Sequence, residues 1–178
     1  MKNFPYSNWK QPTVKDVEQV MTLAAQRLGC EVKELHKHLK GDARTFRRWK
    51  ENADKTPNAL SSIRYTAYGI FVALATGKLI FTEDGKPLEV QNQELWGFIE
   101  QNYIFDAESF TQPSTKVVTM FIGQKDSISG LQRQELAQLL GYDKVHFGRV
   151  IGKMNFGTWT ALMLCFGVPI CKLFKVEE

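Results

Sequence analysis

Apolar residues recur three or four positions apart over most of the chain, which is the spacing of a helix that buries one face. This spacing predicts helices over 14–28, 31–40, 42–52, 60–75, 116–123, 143–152 and 158–167. Residues 79–90 break the pattern, because they alternate around Asp84 and Gly85, a pair that favours a tight β-turn. The chain is therefore expected to be mainly α-helical, with one small β-hairpin.

The helical pattern also contains an internal repeat. Residues 135–153 predict two helices joined at Gly141, a residue that can adopt the positive φ of a tight turn. Their apolar positions, Leu136, Leu140, Phe147 and Val150, recur 101 residues upstream as Leu35, Leu39, Phe46 and Trp49. The upstream copy carries Lys40 where the downstream copy carries Gly141, which predicts a differently shaped turn. Both copies have the pattern of a helix-turn-helix, a motif that enters the DNA major groove.

The distribution of charge divides the chain into three parts. Lys and Arg outnumber Asp and Glu by 14 to 7 in residues 1–78 and by 8 to 5 in residues 116–178. The intervening residues 79–115 hold 1 basic side chain against 7 acidic ones. Phosphate attracts the two basic parts and repels the acidic one. We predict two tandem helix-turn-helix domains, over 1–78 and 116–178, joined by a β-hairpin and acidic connecting segment over 79–115.

Two stretches resemble the lambda-repressor/Cro-like (Xre-type) helix-turn-helix family. Residues 131–174, with the closing letters F-G-V-P, resemble its run from the second helix to the end of the domain. Residues 31–77, with the letters R-T-F-R-R-W-K, resemble a phage-type variant with Arg-Arg-Trp in the recognition helix. The resemblance implies a DNA-binding regulator of phages or other mobile elements, usually a homodimer. Gly148 lies inside the second recognition helix, although glycine is a poor helix former. This departure from the family implies weak DNA binding or a dimerisation role for that copy.

The outward residues of the second helix in each pair are the expected DNA contacts. In the first copy the candidates are Lys37, Asp42, Arg44, Thr45, Arg47, Arg48 and Lys50, and in the second copy they are Lys144, His146, Arg149 and Lys153. Arg44 and Arg47 share a face, and the guanidinium fork matches the O6 and N7 atoms of guanine. The alternative for each cation is a solvated or ion-paired surface residue.

Two functions remain open from the sequence. The first is a sequence-specific, double-stranded DNA-binding transcriptional regulator that acts by occupying an operator. The second is a protein-interaction or assembly accessory factor of a mobile element, which would bind a protein partner through 79–115, where Trp96, Tyr103 and Phe105 look exposed. The sequence has no glycine-rich phosphate loop, nucleophile elbow or paired metal ligands, so we expect neither an enzyme nor a metal or other cofactor.

The remaining expectations concern setting and assembly. With 43% hydrophobic and 12% aromatic residues the chain can bury a core. It has neither an apolar run of about 18 residues nor a signal-peptide pattern, and its three cysteines are an odd number, so we expect a reducing cytoplasmic location and no membrane contact. We expect a homodimer, with a contact that includes Trp96 and Phe98.

Overall fold

The structure is a computed structural model, and it describes residues 2–176. Within this range the chain forms α-helices and no β-strand, so it is mainly α-helical, as predicted. The helices are α1 (Val14–Arg27), α2 (Leu35–His38), α3 (Ala43–Trp49), α4 (Tyr65–Thr76), α5 (Gln93–Asn102), α6 (Thr115–Thr119), α7 (Arg133–Leu140), α8 (Lys144–Gly152), α9 (Phe156–Cys165) and α10 (Ile170–Leu173). A 3₁₀ turn at Pro5–Asn8 precedes α1, and another at Val32–Glu34 leads into α2.

The turns of α2–α3 and α7–α8 have the same backbone hydrogen bonds. We call α2 and α3 the first helix pair and α7 and α8 the second helix pair. The amide of Gly41 donates to the carbonyl of His36 at 2.8 Å, and Tyr142, 101 positions later, donates to Ala137 at 2.9 Å. The turn residue before each donor is left-handed, with φ of 48° at Lys40 and 80° at Gly141. The prediction that the two turns differ in shape is therefore wrong. Lys40 adopts the same left-handed backbone conformation as Gly141.

The second helix of each pair begins with an aspartate at the equivalent position. A carboxylate oxygen of Asp42 accepts from the amide of Thr45 at 2.8 Å, and one of Asp143 accepts from the amide of His146 at 2.7 Å. Each bond satisfies an amide that the first turn of a helix leaves unpaired. The repeat thus extends from the apolar positions to the turn and the cap.

The repeat shifts by one residue at its last apolar position. Trp49 is buried in α3, but its counterpart Val150 is half-buried, and the next residue, Ile151, is buried instead. With Phe147 fully buried, α8 buries positions four apart, whereas α3 buries Phe46 and Trp49, three apart. Both spacings place two side chains on one helix face, so each second helix has a defined inner and outer side.

The two halves of the chain share one cluster of buried side chains. The apolar helices α4 and α9, which close the two halves, pack against each other. The hydroxyl of Thr66 in α4 donates to the carbonyl of Leu140 at the end of α7. The amide of Lys2 donates to Oε1 of Glu135 in α7 at 2.7 Å. These contacts join the N-terminal half directly to the second helix pair.

The β-hairpin predicted for 79–90 does not form. Its turn exists, since the Thr82 hydroxyl donates to the Lys86 carbonyl at 2.8 Å and Gly85 has a φ of 69°. The amide of Leu88 instead donates to the carbonyl of Cys165 at 2.7 Å, at the end of α9. Phe81, on the other side of the turn, is fully buried in the core. The two arms are therefore bound to different parts of the molecule and do not pair with each other.

The expectation of an exposed Trp96 is also wrong. Trp96 lies in α5, is 6% exposed, and its ring packs against Phe121 and Phe166 at centroid distances of 6.4 and 5.9 Å. Tyr103 and Phe105 are half-buried, and the Tyr103 carbonyl accepts from Nε1 of Trp159 at 2.8 Å. Most of the aromatic residues in this segment therefore complete the core of their own chain.

Candidate nucleic-acid interface

Two buried aromatic residues fix the orientation of α3. The rings of Phe46 and Trp49 are 4.6 Å apart and pack edge-on against Phe71 of α4, at 5.8 and 6.1 Å. Because Phe46 and Trp49 pack this inner face of α3 against Phe71, the opposite face points away from the protein. The arginines Arg44, Arg47 and Arg48 are all exposed on it. A guanidinium group on a firmly held helix is suited to bidentate contacts, which need a defined approach.

A shallow groove beside α3 collects further positive charge. Arg44, Arg47 and Lys50 line it from α3 and its end, and Lys33 lines it from the preceding turn. Met21 of α1, which is itself fully buried, lies beneath the same groove. Four cations therefore converge on one side of the first helix pair, which is an arrangement that attracts phosphate.

The arginines of α3 are not neutralised by neighbouring carboxylates. Among residues 2–176 the ion pairs join Lys33 to Glu31, Lys37 to Glu34 and Lys175 to Glu108, at 2.7, 3.2 and 3.3 Å. None of these pairs includes an arginine of α3. The positive charge of this helix is therefore free for an external anion, whereas Lys33 and Lys37 already have carboxylate partners.

Asp42 and Thr45, both predicted DNA contacts, are bound to each other at the start of α3. The Thr45 hydroxyl and amide each donate to the same Asp42 oxygen at 2.8 Å. These two hydrogen bonds, that of the hydroxyl first, lower the pKa of the Asp42 carboxyl below its ordinary value of 3.8. The structure therefore gives this pair a capping role and leaves the arginines as the outward groups.

The predicted contacts of the second helix pair are all exposed. Lys144, His146 and Arg149 lie on α8, and Lys153 follows its last residue. The ring of His146 lies beside Tyr142, with centroids 5.5 Å apart. Lys153 borders a separate hollow with Phe110, at the far end of the helix from Lys144. The structure thus distributes these four residues along α8, while it concentrates the arginines of α3.

Two exposed residues near this surface were missed from the sequence. Val145, the second residue of α8, is 77% exposed. Arg133, the first residue of α7, extends its guanidinium over Gly148, so that a methyl group added at Gly148 would overlap with it. The sequence signal for Arg133 was the glycine itself, since a glycine inside a helix often marks the close approach of another group.

A cleft separates the turns of the two helix pairs. Asp42 and Thr45 line one side of it, and Tyr142 and Asn155 line the other. The start of α3 therefore lies across the cleft from the turn that precedes α8.

Two further kinds of site are absent among residues 2–176. In 2–176 no group of three or more His, Cys, Asp or Glu side chains is placed to hold a metal ion. No helix in the same range is both long and apolar enough to cross a bilayer. Comparisons of the chain with protein-family models, curated proteins and solved structures gave no match.

Proposed function

We propose that this protein is a sequence-specific, double-stranded DNA-binding transcriptional regulator of the phage or mobile-element type, which acts by occupying an operator. The observation that carries the proposal is the outer face of α3. It presents Arg44, Arg47 and Arg48, without ion-pair partners among residues 2–176, on a helix held by Phe46 and Trp49. The resemblance of the two stretches to lambda-repressor-like proteins supports the same function, with both helix pairs as helix-turn-helix modules.

In this proposal α3 enters the major groove. Arg44 and Arg47, three positions apart, contact base edges, where a guanidinium fork pairs with the O6 and N7 atoms of guanine. Lys50, which lines the same groove of the protein and has no ion-pair partner among residues 2–176, contacts a flanking phosphate. Lys37 contributes less, because it is paired with Glu34 and lies in a hollow with Asp106 and Glu108. Phosphate is repelled by those carboxylates.

The second helix pair approaches the same stretch of DNA. The turn of the second helix pair borders the cleft beside α3 through Tyr142, so in this proposal the second pair lies close to DNA that is held by α3. The two half-sites of a helix-turn-helix dimer are about 34 Å apart, one helical turn of DNA. A two-fold symmetric operator therefore requires a second copy of the chain, and we propose a homodimer.

The proposed location is the reducing cytoplasm. Cys30, Cys165 and Cys171 are free, and burial raises the pKa of the Cys165 thiol. A buried thiol with a raised pKa is inert packing rather than a reactive group. No cofactor is part of the proposed mechanism.

A protein-binding accessory function is the second candidate, and one observation favours it. Phe98 on α5 is 41% exposed within the acidic segment, with the ring of Tyr103 at 5.7 Å. An exposed phenylalanine among acidic side chains suits an apolar pocket with a basic rim. This site and a DNA-binding α3 are compatible in one molecule.

Selection of bound sequences from random duplex DNA tests the proposed function. The full-length protein should enrich a defined motif, and a homodimer should make that motif two-fold symmetric. The matched control replaces Arg44, Arg47 and Arg48 by alanine, and it should enrich no motif while it keeps the wild-type circular dichroism spectrum. If both proteins recover all sequences equally, the proposal of sequence-specific DNA recognition is wrong and the accessory function remains.

A further inference from the structure

Val145 is an exposed apolar residue on an otherwise polar helix face. It is 77% exposed, more than Leu23, Leu60 or Phe98, whose exposed fractions are 46%, 68% and 41%. Valine is also a poorer helix former than alanine or lysine, because its branched Cβ loses side-chain freedom in a helix. Neither burial nor helix propensity therefore accounts for valine at this position.

The structure fixes the direction in which Val145 points. Asp143 caps the helix two residues earlier, and Phe147, two residues later, is fully buried. The helix can therefore neither rotate nor unwind freely at this end. Arg149 follows Val145 by four positions and is also exposed, so the two side chains share the outer face of α8.

The internal repeat pairs Val145 with Arg44, whose guanidinium group has a defined base preference. Arg44 precedes it by 101 positions and is, like Val145, the second residue after an aspartate cap. The same slot in the two helix pairs thus carries a guanidinium in one and an isopropyl group in the other. In the major groove a guanidinium matches guanine, whereas an apolar group matches the 5-methyl group of thymine.

From this geometry, and resting on the proposed function, we propose that Val145 is a specificity-determining residue that contacts the 5-methyl group of a thymine. Arg149 would contact a base or phosphate close by. The Cβ atoms of residues four apart on a helix are about 5–6 Å apart. The two side chains therefore leave the helix from neighbouring points on its outer face.

Replacement of thymine by deoxyuridine tests this contact, because it removes only the methyl group. The probe is the duplex that wild-type protein enriches from a random pool, with each thymine replaced in turn. One replacement should weaken wild-type binding about fourfold, the effect of one buried methyl-sized group. Val145→Ala should reduce this difference at that position, because its single methyl group reaches less far toward the base. The matched control Arg44→Ala should bind both more weakly but keep the fourfold difference.

The outcomes separate this proposal from the proposed function. If the wild-type protein enriches no duplex, the proposed function fails and this contact fails with it. If a duplex is enriched but no deoxyuridine replacement weakens binding, the thymine contact alone is wrong. It is also wrong if Val145→Ala keeps the wild-type preference for thymine. Circular dichroism melting confirms that Val145→Ala is folded, as expected for so exposed a side chain.

Discussion

The two helix pairs share the backbone hydrogen bonds of their turns and an aspartate cap, but they differ in the surrounding side chains. The left-handed turn residue is Lys40 in the first pair and Gly141 in the second, and the same hydrogen bond closes both turns. Lys40 extends its amine toward the ring of Phe110, 6.0 Å away, whereas Gly141 lies directly against Tyr65. The difference shows that the turn itself tolerates a side chain, and that glycine at 141 is required by its neighbour.

The outer faces differ more than the turns do. The first pair concentrates three arginines on α3. This helix is held in place where its Phe46 and Trp49 pack against Phe71. The second pair carries Val145 and a more dispersed set of cations on α8. The repeat therefore preserves a scaffold and varies the groups it presents. On the proposed function, this variation lets one chain contact different bases with two equivalent helices.

The largest difference between the pairs should appear at the turn. Gly141→Ala places a methyl group against Tyr65 and forces alanine into a left-handed conformation. Strain and overpacking together should lower the free energy of unfolding by about 2–4 kcal/mol. Lys40→Gly, the matched change in the first pair, should remain within about 1 kcal/mol of wild type. Urea denaturation measures both, and equal losses would show that the two turns have the same requirement.

The next effect concerns the division of DNA binding between the pairs. Because the halves share a core, the comparison is made in the full-length chain. Alanine at Arg44 or Arg47 should each weaken binding to the enriched duplex by about 1–3 kcal/mol. Alanine at Lys144 or Lys153, which lie at opposite ends of α8, should cost less than either arginine. Titration by fluorescence anisotropy decides this, and a larger loss from the lysines would assign the main contact to the second pair.

A smaller effect on the free energy of unfolding is expected at Glu135 and Glu34, which occupy the same position in the repeat. Substitution of Glu135 should cost more than substitution of Glu34. Glu135 is buried and accepts from the amides of Gln132 and Lys2, at 2.8 and 2.7 Å. These hydrogen bonds, that of Gln132 first, lower its pKa below the ordinary 4.5. Glu135→Gln should therefore cost about 1–2 kcal/mol at pH 7.

The dependence on pH has a defined sign. A lowered pKa means that the stabilisation by Glu135 is present above pH 4.5 and is lost as the pH falls through the folded-state pKa. The difference between wild type and Glu135→Gln should therefore shrink below pH 4.5, as thermal melts across that range would reveal. Glu34→Gln should change stability much less, since Glu34 lies at the surface and pairs with the exposed Lys37. Two equal, pH-independent losses would contradict the role of the buried carboxylate.

The smallest expected change involves Gly148. Alanine there should stabilise α8 by up to about 1 kcal/mol, because glycine is a poor helix former. It should also displace the guanidinium of Arg133, whose flexible side chain can move aside. Urea denaturation measures the gain, and a loss of stability would show that the contact with Arg133 outweighs the helix propensity of alanine.

The features that depend on local spacing could be predicted from the sequence. The helical spacing of apolar residues correctly indicated a mainly α-helical chain, and the 101-residue offset identified positions that prove equivalent in turn and cap. Asp42 and Asp143 occupy the same slot because a helix start needs a short polar acceptor at that point. These are interactions between residues that are close in sequence.

The features that depend on distant partners could not be predicted. The arms around Gly85 have the composition of a hairpin, but the amide of Leu88 pairs with Cys165, which no local pattern reveals. Trp96 looked exposed because its segment is polar, yet its ring is covered by Phe121 and Phe166 from the other half. The place of Arg133 above Gly148 likewise depends on how α7 crosses α8.

The central claim is that α3 reads base sequence through Arg44 and Arg47. Its most direct test is the ratio of affinities for the enriched duplex and a scrambled duplex of equal length. Arg44→Ala and Arg47→Ala should each lower this ratio, since a lost base contact weakens only specific binding. Lys50→Ala should leave the ratio unchanged, since a phosphate contact affects all sequences alike. An unchanged ratio in both arginine variants would contradict the account.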